Sequence, residues 1–154
     1  MAVNDATYNL SYHEILTKVN NKKDKPGKLE VLRKYDTNEL RMFLKGAFDE
    51  KLEWLLPEGS PPYTPNEAPV GTEHTWLKQE VKRMSHFLKG GNPQLSQMKR
   101  DNMFIQMLES LCDEEAKLLI WAKDGELNKH YKGLTANLIK EAFGWNDDFM
   151  RKNA

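Results

Sequence analysis

The stretch Met103-Phe-Ile-Gln-Met-Leu-Glu-Ser-Leu-Cys112 decides the predicted fold of this chain, because seven of its ten residues are apolar. At 3.6 residues per turn these side chains cover far more than one stripe of a helix. A helix that is apolar around most of its circumference is surrounded by other elements. Upstream, Asn92-Pro93 supplies a capping residue followed by a proline suited to the first helical position. We therefore predict a buried central helix over residues 93–111.

The rest of the chain also carries helical signals. Helix-start residues precede apolar runs at six further places: Ser11, Pro26, Asp36, Thr72, Asp113 and Leu134. No segment alternates apolar and polar residues in the way that a half-buried strand does. The sequence therefore predicts an all-α fold, a single compact domain of six or seven helices over residues 11–145. Residues 1–10 are predicted to be a flexible N-terminus and residues 146–154 a tail.

A proline-rich segment over residues 57–71 holds five of the seven prolines of the chain. Each proline fixes φ and removes an amide donor, so the segment is predicted to be extended. Two interpretations stay open, an ordered strap that packs over the domain and a docking segment for a partner. Tyr63 within the strap and Trp54 just before it are the candidate contact residues.

Charge is balanced overall, with 23 basic and 23 acidic residues, but it is distributed in blocks. Residues 46–77 carry one basic and six acidic side chains, whereas residues 78–100 carry six basic and one acidic. Such blocks either attract one another inside the fold or form a two-signed surface that steers a partner.

A helix predicted from Thr72 to Leu88 or Lys89 would align several basic side chains. At 100° per residue Lys78, Lys82, Ser85 and Lys89 fall within about 60° of one another, and Arg83 adds charge nearby. The stripe is either a solvated face or a contact for phosphates or an acidic partner. The helices between Lys28 and Ala47 could also form a DNA-reading motif, with Asn38, Arg41 and Lys45 pointing outward. The candidate binding residues are Trp54, Tyr63, Lys78, Lys82, Arg83 and Lys89.

Catalytic and metal-binding motifs are not found in the sequence. Asp113-Glu114-Glu115 is explained by its place at a helix start, where acidic side chains favour the helix dipole. The four histidines lack metal-ligand spacing, and the single cysteine, Cys112, is predicted to be a packed core thiol. No phosphate-binding loop or nucleophile elbow occurs. We predict no catalytic residue, metal or cofactor, and no enzyme.

Targeting signals are also missing from the sequence as given. The first residues lack the basic and apolar regions of a secretory signal, and no apolar run approaches eighteen residues. One cysteine excludes an intramolecular disulfide, which fits a reducing cytoplasm. We therefore expect no membrane association.

Four motifs carry a resemblance to a known family. They are Leu32-Arg-Lys-Tyr-Asp36, Leu55-Leu-Pro-Glu-Gly-Ser-Pro-Pro-Tyr63 with Pro65-Asn-Glu67, Phe104-Ile-Gln-Met-Leu-Glu-Ser-Leu111 and Tyr131-Lys-Gly-Leu-Thr135. In this order the chain resembles small proteins encoded by T4-like tailed phages, marine ones especially, over residues 29–143. The resemblance implies a viral origin and a place of action in an infected bacterium or in the particle. It carries over no activity and no functional residue.

These observations lead to one functional expectation and two alternatives. We expect a non-enzymatic, phage-encoded helical binding module that acts on a protein of host or phage machinery in the host cytoplasm. One alternative is a structural component of the virion, such as a helical head–tail connector. The other is a nucleic-acid-binding accessory protein, which the acidic blocks disfavour.

Overall fold

The structure, a computed structural model, describes residues 10–68 and 74–145 of the chain. In these ranges it contains eight α-helices and one 3-10 helix. They are α1 (Tyr12–Asn21), α2 (Lys25–Lys34), α3 (Asn38–Phe48), α4 (Leu77–Glu80), the 3-10 helix (Val81–Phe87), α5 (Gln97–Ser110), α6 (Asp113–Lys123), α7 (Leu127–His130) and α8 (Ala136–Phe143). Within the described ranges no strand forms, and two isolated bridges are the only β pairing. The all-α prediction is confirmed.

A single cluster of buried apolar side chains runs from Tyr12 to Trp145 and holds the helices together. Leu10 packs against this cluster, although residues 1–10 were predicted to be flexible. The remaining residues of that segment and the predicted tail, 146–154, lie outside the described residues.

Five helices begin at a side chain that accepts a hydrogen bond from the amide three residues further on: Ser11, Asp24, Thr37, Ser96 and Thr135. The capping box predicted at Ser11 is complete, because the Glu14 carboxylate accepts in return from the Ser11 amide at 2.9 Å. The last helix ends at Gly144, whose φ of 69° suits a residue without a Cβ. Short-range polar chemistry therefore sets most helix ends.

The helix predicted over residues 93–111 forms, but it begins four residues later, at Gln97. Asn92 instead opens a turn in which its carbonyl accepts from the Leu95 amide at 3.2 Å. Ser96 provides the cap that the prediction assigned to Asn92, because its hydroxyl accepts from the Lys99 amide at 3.3 Å. The helix also stops before Leu111, which is extended and buried.

The most enclosed helix is α6, not α5. Seven of the eleven residues of α6 are buried, against four of fourteen in α5, where Met103 and Ile105 remain half-exposed. Helix α6 packs against α1, α3, α5 and α7. The apolar residues of the stretch 103–112 are therefore divided between the end of α5 and the buried link Leu111-Cys112, which leads into α6.

The helix predicted from Thr72 to Leu88 or Lys89 is shorter and of mixed type. Its proposed cap, Thr72, lies outside the described residues, and α4 begins at Leu77. After Glu80 the backbone tightens into the 3-10 helix, which ends at Phe87. There the chain pairs with the segment before the proline-rich strap, through Leu55 N to Phe87 O at 2.7 Å and Lys89 N to Glu53 O at 2.9 Å.

A buried carboxylate joins three elements at the centre of the domain. Glu115 of α6 is 1% exposed, and its two oxygens accept from the amides of Tyr12 at 3.0 Å and Leu77 at 2.9 Å. These are the first residues of α1 and α4, whose amides have no partner within their own helices. Burial raises the pKa of Glu115, and the two amide hydrogen bonds and Lys78 lower it by less.

Leu108→Ala is predicted to destabilise the protein by about 2–5 kcal/mol, because truncation of a fully buried leucine leaves a cavity. Urea unfolding measures the change. Ile105→Ala in the same helix is the matched control and should cost less, since Ile105 is half-exposed. Equal losses for the two variants would contradict the packing described here.

Glu115→Gln tests the buried carboxylate through pH. A carboxyl whose pKa is raised on folding contributes stability below its unfolded pKa of about 4.3, and this contribution is lost as the pH rises through the folded pKa. The free energy of unfolding of the wild type minus that of Glu115→Gln should therefore be largest at pH values below the unfolded pKa. This difference should fall as the pH rises through the folded pKa. Glu114→Gln removes the same charge from an exposed position of the same turn and serves as the control. A difference that grows with pH would contradict the raised pKa.

Candidate functional site

Trp54 is anchored within the domain. Its indole Nε1 donates to the carbonyl of Gly46 at 2.9 Å, and its ring packs against the core. A Cβ at Gly46 would lie 3.2 Å from Trp54 Cζ2 and 2.6 Å from Met84 Cε, so the ring and α3 meet closely there. The half-buried ring also forms part of the wall of a surface cleft. Trp54 is therefore a packing residue that lines a cleft.

The proline-rich segment is described as far as residue 68 and is held by side chains of α5 and by residues at the end of α6. Lys123 Nζ donates to the carbonyls of Pro57 at 2.8 Å and Gly59 at 3.0 Å. Lys123 also pairs with the carboxylate of Asp124, whose other oxygen accepts from the Gly59 amide at 3.0 Å. Further along, Glu109 accepts from the Thr64 amide at 2.8 Å.

Tyr63 lies half-buried in this segment and packs against the core. Partial burial and the nearby Asp113 carboxylate raise its pKa, and Lys117 lowers it. The phenol therefore sits over the beginning of α6 and has only part of its surface available to a partner.

The predicted lysine stripe does not form one face. A 3-10 helix has three residues per turn, so residues four apart do not stay aligned, and Lys89 lies beyond the helix end. Arg83 pairs with Glu80 at 3.2 Å, and Lys89 lies 3.9 Å from Glu53. Lys78 and Lys82 instead line a cleft of about 630 Å³ together with Lys34 and the carboxyl residues Asp36 and Glu39.

Two of the three residues of the predicted DNA-reading face of α3, Arg41 and Lys45, interact within the domain, whereas Asn38 is exposed. The guanidinium of Arg41 makes two hydrogen bonds of 2.7 Å to Asp36, which raise the pKa of Arg41. The same group lies 5.1 Å from the centre of the Phe143 ring. Lys45 is half-buried, and burial lowers its pKa. Arg41 is thus paired with a residue of its own domain.

A second cleft, of about 690 Å³, is lined by many more acidic than basic side chains. It lies between the end of α3, the segment that follows it, the end of α6 and the beginning of α8. Five carboxyl side chains line it: Asp49, Glu50, Glu53, Glu58 and Asp124. Lys123 is the one cation among the described residues that line it, and Lys123 is already bound to Asp124 and to the proline-rich segment. We call this site the acidic cleft.

Asp49 is the unusual member of the acidic cleft, because it is only 8% exposed. Its Oδ1 accepts from the Lys51 amide at 2.9 Å, while its buried Oδ2 has no hydrogen-bond partner among residues 10–68 and 74–145. Asp49 lies near Lys45 and raises the pKa of that lysine, although burial lowers the pKa of Lys45 by more. A buried carboxylate oxygen without a donor is costly, since it has lost its hydration.

Helix ends reinforce the negative potential of the acidic cleft. The C-terminal residues of α3 and α6 line it, and each helix C-terminus carries about half a negative charge. The N-terminus of α8 at Thr135 and Ala136 opposes them, but the Thr135 hydroxyl already accepts from the Leu138 amide. The cleft therefore favours a cation over an anion.

Sequence reasoning noted the acidic block over residues 46–77 but did not identify a site there. The block supplies four of the five carboxylates, while Asp124 and the beginning of α8 come from residues that are distant in sequence. Cys112, by contrast, is a buried free thiol as predicted, and burial raises its pKa. Among the described residues no three potential metal ligands converge.

Comparisons with known proteins place the chain in a family. Residues 15–129 match the family of unknown function DUF6433, and because this match covers most of the chain, the chain belongs to that family. No curated protein and no solved structure matches it. In the described ranges no helix has the length and apolar character needed to cross a bilayer.

Lys123→Met is predicted to release the beginning of the proline-rich segment, because it removes the donor bound by Pro57 and Gly59. Digestion with a glutamate-specific protease should then cut faster after Glu58. Cutting after Glu30 and Glu114 in the same digest separates this local opening from global unfolding, which would accelerate all three. Lys117→Met, on the exposed face of α6, is the control, and equal cutting after Glu58 in both variants would contradict the clamp.

Proposed function

We propose that the chain is a non-enzymatic, phage-encoded helical module that binds a protein of host or phage machinery in the cytoplasm of the infected bacterium. The observation that carries this proposal is the acidic cleft, a concave site with carboxylates in excess of cations. The phage origin draws on the resemblance of the four sequence motifs.

The chemistry of the acidic cleft favours binding of a protein over binding of a nucleic acid. Phosphate backbones are bound by basic surfaces, and a cleft lined by five carboxyl groups and one cation would repel them. The basic side chains that could attract phosphates are divided between the cleft of about 630 Å³, which Lys78 and Lys82 line, and two surface ion pairs, which Arg83 and Lys89 form. A protein partner can supply both the positive charge that the carboxylates attract and an apolar surface that packs against Trp54 and Leu56.

Site-specific crosslinking tests this proposal. A photo-crosslinking amino acid placed at position 50, in the acidic cleft, should capture a discrete protein in infected cells. The same residue at position 114 replaces an exposed glutamate outside the cleft and should not capture that protein. Equal capture from both positions, or none from position 50, would contradict a binding site in the cleft. Mass spectrometry of purified particles distinguishes a virion component, which would be present in stoichiometric amounts.

A further inference from the structure

Among the residues that the structure describes, the lining of the acidic cleft has five carboxyl side chains and one cation. Lys123 binds Asp124, and Lys45 lies near Asp49 but is not part of the lining, so four lining carboxyl groups exceed the lining cation: Asp49, Glu50, Glu53 and Glu58. Glu53 has Lys89 at 3.9 Å, but both side chains are more than 60% exposed, and pairs of this kind contribute little. Three of the four carboxylates are exposed around Asp49, which is buried.

The fold does not require a carboxylate at position 49. Asparagine could accept the hydrogen bond from the Lys51 amide equally well and would avoid a buried charge. The carboxylate therefore costs stability while leaving Oδ2 without a donor. The interaction with Lys45 offsets this cost only in part, because burial lowers the pKa of Lys45 by more than Asp49 raises it. Residues that lower the stability of the fold are common at binding sites.

We propose that the acidic cleft binds a lysine- or arginine-rich segment of the partner, with one basic side chain paired with the carboxylate of Asp49. Glu50, Glu53 and Glu58 pair with neighbouring basic residues of that segment, and Trp54 packs against the aliphatic stem of the inserted side chain. This inference rests on the proposed function and specifies its partner. The ends of α3 and α6 add negative potential to the same place.

The test uses a fluorescein-labelled nine-residue peptide of alternating arginine and glycine, titrated against the full chain by anisotropy. Asp49→Asn should weaken binding by at least about tenfold, because hydrogen bonds between charged groups contribute that much or more. Its thermal midpoint should stay the same or rise, since a buried charge is removed. Lower affinity together with undiminished stability is the result that a merely structural role of Asp49 would not give.

A matched pair of variants controls for net charge. Glu50→Gln with Glu53→Gln removes two carboxylates from the cleft and should weaken peptide binding, whereas Glu30→Gln with Glu114→Gln removes two exposed ones elsewhere and should not. A peptide of alternating glutamate and glycine should not bind. Equal affinity of Asp49→Asn and the wild type, or equal effects of the two double variants, would overturn the inference.

The crosslinking experiment separates failure of this inference from failure of the proposed function. If position 50 captures a partner whose binding is unchanged by Asp49→Asn, the cleft is a binding site for a segment of other chemistry. The inference is then wrong and the proposed function stands. If neither the peptide nor a partner binds at the cleft, both are wrong.

Discussion

The hydrogen bonds of Glu115 are the interaction on which the arrangement of helices depends. One buried carboxylate accepts from the first amides of α1 and α4, which are 65 residues apart in sequence, and holds both against α6. Each helix N-terminus carries partial positive charge, so the two ends would be difficult to bury side by side without an anion between them. The raised pKa of Glu115 shows the cost of that burial, which the two amides offset in part.

Other buried ionic groups fix irregular backbone in a similar way. Arg100 is 5% exposed, and its guanidinium donates to the carbonyls of His86, Asn92 and Leu95, which fixes the loop between the 3-10 helix and α5. Lys123 and Asp124 do the same for the beginning of the proline-rich segment. Loop carbonyls and amides buried without partners are unfavourable, so long polar side chains that reach them allow non-helical segments to pack on a helical core.

The all-α fold class and most helix starts could be predicted from the sequence, because caps such as Ser11 and Thr37 bind an amide only three residues away. The predicted start of α5 was wrong because Asn92 and Ser96 are both suitable caps, and the turn between them decides which one is used. The change to 3-10 geometry after Glu80 accompanies backbone pairing with Glu53 and Leu55, which local periodicity does not contain. The acidic cleft was missed for the same reason, since Asp49 and Asp124 come together only through packing.

The close approach at Gly46 limits how the sequence of this protein can change. Any side chain at position 46 would meet the Trp54 ring at 3.2 Å, and the ring is already fixed by its hydrogen bond to the Gly46 carbonyl. The flexible end of Met84 could move aside, but the indole has little freedom to do so. Substitution of Gly46 would therefore displace a wall of the cleft even where the helix itself tolerates alanine. Positions 46 and 54 should consequently vary together, or not at all, among homologues that keep the cleft.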